Sequence, residues 1–157
     1  MKFFYLNVLF LLLAFNANAQ IIDSVALFKS NDTVQIKYCI QRFFEGLEGQ
    51  DTIKLKEAMY SELSLKTIIE NVAEKKERFV VESREELIQI VAKKRTATLD
   101  EKLLSMHIFI DGRLASVWTP YEFYINGQPS HRGANSFQLV KTNKGWQIFS
   151  IVDTRHR

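Results

Sequence analysis

Between residues 33 and 49 the apolar positions recur at helical spacing. Ile36, Ile40, Phe43, Phe44 and Leu47 stand at i, i+4, i+7, i+8 and i+11. At 100° per residue they fall within an arc of about 100°, the stripe of an amphipathic helix. Asn31-Asp32-Thr33 precedes the stripe, with Asp32 and Gln35 placed as a box-like N-terminal cap, and Gly46 and Gly49 are expected to end the helix. Tyr38 and Arg42 lie on the far side, and Cys39 falls at the edge of the stripe. Asp51 is placed to cap a second, shorter helix through Met59.

The period then changes. Ser61 to Asn71 reads as a strand, with Leu63, Leu65, Thr67 and Ile69 alternating against Ser64, Lys66 and Ile68, and Arg78 to Glu82 reads as a second, shorter one. Ser83-Arg84-Glu85-Glu86 has the S-x-x-E form of a capping box and opens a helix to about Lys94, with Leu87, Ile88, Val91 and Ala92 along one side. Beyond Glu101 the alternation returns. Leu103 to Ile110 and Arg113 to Tyr124 are expected as strands joined by Asp111-Gly112, a strong hairpin signal. A two-residue turn there pairs Ile110 with Arg113, Ile108 with Ala115, Met106 with Val117 and Leu104 with Thr119. That side is apolar and continues to Tyr121 and Phe123; the other carries Ser105, His107, Phe109, Ser116, Trp118 and Glu122. Asn126-Gly127-Gln128-Pro129 turns the chain, and His131 to Lys141 and Trp146 to Arg155 form the last strands around Thr142-Asn143-Lys144-Gly145. Helices followed by an unbroken run of meandering strands make an α+β fold, with N-terminal helices covering one face of a strongly curved antiparallel sheet.

The first nineteen residues stand outside this pattern. Lys2, an apolar run from Phe3 to Phe15 interrupted by Asn7, and Ala17-Asn18-Ala19 have the three parts of a secretory leader cleaved after Ala19. The run is shorter than the about 20 residues a membrane span needs, so no stable membrane anchor is expected after cleavage. A flexible mature N-terminus over 20–30, one domain over 31–157 and a periplasmic or secreted location follow. In that compartment Cys39, the only cysteine, has no internal partner. It is a nucleophile, half of an intermolecular disulfide or a small buried apolar residue; its place beside the stripe favours burial.

Composition adds little beyond a globular domain: 46% apolar, 25% charged, two Pro and six Gly. The net charge of +3 drops to +2 once Lys2 is removed, leaving 20 basic against 18 acidic residues. The basic residues at 75–78 and 93–95 are interleaved with Glu74, Glu77, Glu85 and Glu86, a solvated surface without the concentrated face that nucleic acid requires.

The helix end Phe43-Phe44-Glu45-Gly46-Leu47 followed by Asp51 resembles the opening of the nuclear transport factor 2-like (NTF2-like, SnoaL-like) superfamily. The tail Ala134-Asn135-Ser136-Phe137-Gln138-Leu139-Val140-Lys141, with Gly145-Trp146-Gln147-Ile148 and Asp153-Thr154-Arg155, is similar to its bacterial exported branch named for lumazine binding. The resemblance spans residues 30 to 156. It implies a cone-shaped α+β fold with a pocket between sheet and helices, and a homodimer through the sheet. It does not imply one reaction, because the fold hosts isomerases, dehydratases, cyclases and non-catalytic binders.

Isomerases of this superfamily pair an acidic base with a Tyr and a protonated Asp; Tyr38 is the available counterpart, but its angle points away from the apolar stripe. His107 and Glu122 share a sheet face and are the acid–base candidates, against the alternative of a plain polar face. Tyr121 and Phe123 on the apolar side, Asn135 in mid-strand and Asp153 on the last strand are the candidate ligand contacts. Asp153 and Arg155, two apart, are also accounted for by a surface ion pair. The separations of His107, His131 and His156 match no metal-ligand spacing, and no nucleotide or cofactor motif is present. The expectation is a domain binding a small planar or apolar ligand without a cofactor or metal and without catalysis; an acid–base enzyme or a homodimeric interaction module are the alternatives.

Overall fold

The computed structural model describes residues 31–71 and 76–156. The leader and the segment 20–30 lie outside them. The chain divides into a unit over Met1–Val34 and a compact unit over Gln35–Arg157; the second carries the fold.

Helix α1 is described over 31–48, so Asn31-Asp32-Thr33 is already helical and is not its cap. The stripe residues Ile36, Ile40, Phe43 and Phe44 are buried and Leu47 half-buried, while Tyr38 is 60% exposed. Gly46 does not end the helix. A Cβ there would stand 2.8 Å from the Leu55 backbone nitrogen, so glycine lets the next helix approach. The turn out of α1 is taken by Gln50 in the left-handed region (φ 54°), with the Asp51 N–H donating to the Gly46 carbonyl at 3.0 Å. Asp51 caps α2 (Thr52–Ala58): its Oδ1 accepts the Ile53 and Lys54 N–H groups at 3.0 Å each. Cys39 is buried, its thiol donating to the Ala58 carbonyl at 3.5 Å.

Strand β1 (Met59–Asn71) follows directly, then β2 (Lys76–Ser83) and α3 (Arg84–Ala92). Both halves of the Ser83/Glu86 capping box are made. Leu87 and Val91 are buried and Ile88 half-buried, but α3 stops at Ala92, which is exposed. The remaining strands are β3 (Leu99–Leu103), β4 (His107–Asp111), β5 (Leu114–Ile125), β6 (Gln128–Thr142) and β7 (Gly145–His156). They form one open, curled seven-stranded sheet in the order β2-β1-β7-β6-β5-β3, with β4 also on β5. The α+β class stands. The sheet is not wholly antiparallel, because β7 lies parallel to β1, with Thr67 opposite Asp153.

Two features of the β3–β5 region differ from expectation. The single strand over 103–110 is two strands. Pro120 of β5 turns its carbonyl toward this edge, accepting the Leu104 N–H at 2.9 Å, but has no N–H to return. The ladder breaks opposite it, and Leu104, expected on the apolar side, is 60% exposed. At the hairpin Asp111 pairs with Leu114, so Gly112 (φ 56°) and Arg113 form the turn and Ile108 faces Val117. Positive φ at the first central residue alone is the type II′ pattern, which spares Asp111 the left-handed region. The slip is two positions, so each side chain keeps its face. Ala115, Val117, Thr119 and Tyr121 are buried as expected, and Asn126 and Gly127 (φ 52° and 74°) make the second hairpin turn.

The core lies between α1–α3 and the inner sheet face. Phe43, Phe44 and Phe137 meet edge to face with ring centroids 5.4 to 6.1 Å apart.

Candidate functional site

The inner face is not filled to its end. Beyond the phenylalanine cluster, a cavity of about 280 Å³ opens among α1, α3 and strands β3, β5, β6 and β7. Tyr121, Phe123, Asn135 and Asp153 all line it. The register brings them together: Asn135 stands opposite Thr119 on β5 and Asp153 on β7.

The polar side chains that the strands β5 to β7 bring there have identifiable partners. Asp153 is 4% exposed; its Oδ1 accepts from the Thr67 hydroxyl at 2.5 Å and its Oδ2 from Arg155 Nε at 3.0 Å. Asp153 and Arg155 are therefore not a surface pair but an ion pair on the cavity wall. The Tyr121 hydroxyl donates to the Thr154 carbonyl at 2.9 Å, and burial pushes the phenol well above its ordinary range. Gly133 makes room for this bond: a Cβ there would lie 1.8 Å from the Thr154 oxygen. The Ala134 N–H, displaced from the regular ladder, goes to the Thr154 hydroxyl at 3.1 Å. Phe123 stacks on His131 with centroids 4.7 Å apart.

Glu101 completes the group, and the sequence reading missed it. Asn135 donates through Nδ2 to Glu101 Oε1 at 2.7 Å. Burial, with the Asp153 charge adding to it and the Asn135 hydrogen bond opposing it, pushes the Glu101 carboxyl up to about 7. Glu48 at the end of α1 accepts the Glu101 backbone N–H at 3.0 Å, and burial raises its carboxyl too. Arg95 binds the Leu47 and Glu48 carbonyls at 2.7 and 2.5 Å, holding the end of α1 at the cavity rim. The available signal was the alternation Leu99-x-Glu101-x-Leu103, a carboxylate inside an otherwise apolar face.

The structure does not bring His107 and Glu122 together. Both are exposed on the outer face; His107 stands opposite Trp118, four positions along β5 from Glu122, or about 13 Å at strand rise. His107 contacts Ser105 at 3.3 Å, and Glu122 accepts from the Tyr124 hydroxyl at 2.8 Å. The same face exposes Phe79 and Phe109 (71% each) and Trp118 (48%). Among the described residues no group of three or more His, Cys, Asp or Glu side chains is arranged to hold a metal ion.

No protein-family model matches the chain, and no curated protein does. Solved structures do. An NTF2-like protein with a cystatin-like fold from Novosphingobium aromaticivorans superposes with a TM-score of 0.65 at 14% identity, over 84% of this chain and 86% of that one. An NTF2-like family protein from Streptomyces avermitilis, provisionally titled a dehydratase, gives 0.63 at 16%, over 81% and 97%. An NTF2-like superfamily protein from Salmonella enterica serovar Typhimurium gives 0.59 at 19%, over 82% and 94%. At these identities the likeness establishes the fold: the chain has the NTF2-like α+β architecture.

Proposed function

We propose that the chain is an exported domain that holds a small planar or apolar ligand in this cavity without transforming it. The observation that carries the reading is the convergence of Glu101, Tyr121, Asn135 and Asp153, from four strands, on one cavity walled by phenylalanine and leucine. A few convergent polar groups in an apolar concavity fix the orientation of a ligand. At about 280 Å³ the space suits a compact one. The Tyr121 hydroxyl is committed to the Thr154 carbonyl, so it does not serve as a donor to a developing oxyanion. Export rests on the leader sequence, and affiliation with the lumazine-named branch on the 134–155 tail.

A second reading, an acid–base enzyme, is supported by Glu101: a carboxyl facing the cavity and titrating near neutrality is suited to proton transfer. A thermal-shift screen against pteridines, flavins, steroids and polyketide-like aromatics, with product analysis of each hit, separates the two. Binding that survives Asp153→Asn and Tyr121→Phe with no product supports the first. Turnover lost in Glu101→Gln establishes the second. The homodimer would use the outer face around Phe109 and Trp118; sedimentation of the purified protein and of Trp118→Asp tests it.

A further inference from the structure

The charges around the cavity are unevenly matched. Arg155 is held by Asp153, whose other oxygen accepts from Thr67, so that pair is internally neutral. Arg95 is held by the Leu47 and Glu48 carbonyls at the end of α1, where a cation offsets the helix's partial negative charge. Among the described residues Glu101 has no ion-pair partner. Its one side-chain hydrogen bond comes from the Asn135 amide, although a carboxylate offers about four acceptor sites. Glu48, which accepts the Glu101 N–H, adds a second carboxylate beside it. Among aliphatic side chains, four rings line the space, Phe43, Phe44, Tyr121 and Phe123, with His131 stacked on Phe123. Ring faces carry partial negative charge and attract cations. Carboxylate and rings thus favour the same sign.

We propose that the cavity takes a compact aromatic cation, an ammonium group or a protonated nitrogen heterocycle carried on one or two rings, with the Glu101 carboxylate as its counter-ion. The inference rests on the binding reading above and narrows it to a ligand class. It also explains why a half-buried carboxylate here has no ion-pair partner of its own, the Arg155 charge acting on it only from its pairing with Asp153: the ligand brings the positive charge.

The pairing requires ionised Glu101. Facing the same space are Glu48 from α1, Arg95 from the turn after α3, Tyr121 from β5, His131 from β6, and Asp153 and Arg155 from β7; Glu82 of β2 lies on the rim. With the Glu101 carboxyl at about 7, the binding-competent fraction is near complete at pH 8 and about one thirtieth at pH 5.5. His131 carries charge only when protonated and acts in the same direction, so the Glu101 share is isolated by substitution.

Calorimetric titration of the purified protein with 2-naphthylmethylammonium, its neutral isostere 2-naphthalenemethanol and 2-naphthoate tests this. At pH 8 the ammonium is expected to bind at least about tenfold tighter than the alcohol, with the carboxylate weakest, as for a charge-assisted contact. Its affinity should fall about 30-fold by pH 5.5. Glu101→Gln, which keeps the acceptor for Asn135, should erase the preference over the alcohol and flatten most of the pH profile, while the alcohol still binds. Equal or tighter binding of the alcohol or the carboxylate, or a cation preference that survives Glu101→Gln, overturns the inference but leaves the binding domain standing. Failure of all three probes to bind at millimolar concentration overturns the aromatic-cation assignment, and the binding reading then stands or falls on the wider screen above.

Discussion

Replacing Glu101 by Gln removes a half-buried charge and keeps its hydrogen bond. The glutamine carbonyl occupies the place of Oε1 and still accepts from Asn135. In the wild type the carboxyl ordinarily titrates at 4.5 and is pushed up to about 7 by the fold, so between these values the native state holds a proton that the unfolded state has lost. The sign follows: Glu101 costs nothing below pH 4.5, and the cost of ionising it grows as pH rises to about 7, after which it is constant. That rise, from 4.5 to about 7, corresponds to roughly 3 kcal/mol. Glu101→Gln should therefore be about as stable as wild type at pH 4.5 and about 3 kcal/mol more stable at pH 8. Urea unfolding of both proteins across this range, taken as the difference between them, cancels the other carboxylates. A difference that stays flat with pH would refute the burial of an ionisable Glu101. One that grows toward low pH would reverse the assigned sign.

Other outcomes follow from single contacts. Gly133→Ala drives a methyl into the Thr154 carbonyl, at 1.8 Å before relaxation; a loss of at least about 2 kcal/mol is expected in urea unfolding, with weaker probe binding because Tyr121 and Asn135 flank the site. Ser83→Ala removes one half of a formed capping box and should cost about 1 kcal/mol, leaving binding unchanged in the same titrations. Cys39, its thiol pushed up to about 12 by burial, should resist iodoacetamide at pH 8 in the folded protein and react once urea unfolds it; rapid labelling of native protein would contradict the packing of α1 on α2.

The elements legible in the sequence are those set by contacts within a few residues. The α1 stripe, the Ser83 box, the Asp51 cap and the Asn126-Gly127 turn each depend on side chains that see only their own segment. The α+β architecture followed from their order. What stayed hidden depends on neighbours distant along the chain. The break between β3 and β4 is caused by Pro120 on the strand opposite, and the parallel β1–β7 pairing leaves no local trace. Of the cavity wall, Tyr121, Phe123, Asn135 and Asp153 were identifiable because inward alternation or an amide in mid-strand marks them. Glu101 was missed although the alternation around it points it inward, since its environment depends on Glu48 of α1 and Asn135 of β6, both distant along the chain. His107 and Glu122 share a face as alternation requires, but a shared face says nothing of distance along it.

The placement of β7 sets the order in which this domain can assemble. The last described strand is inserted into the middle of the sheet, between β1 and β6, and Thr67 meets Asp153 across 86 residues. Until residues 145–156 are available, β1 and β6 both present open edges and the floor of the cavity is missing. Such late, non-local closure slows folding and exposes strand edges to wrong pairing meanwhile. A ribosome-stalled or truncated chain ending before Gly145 should be captured by holding chaperones and cleaved by proteases throughout, with no protected core of intermediate size.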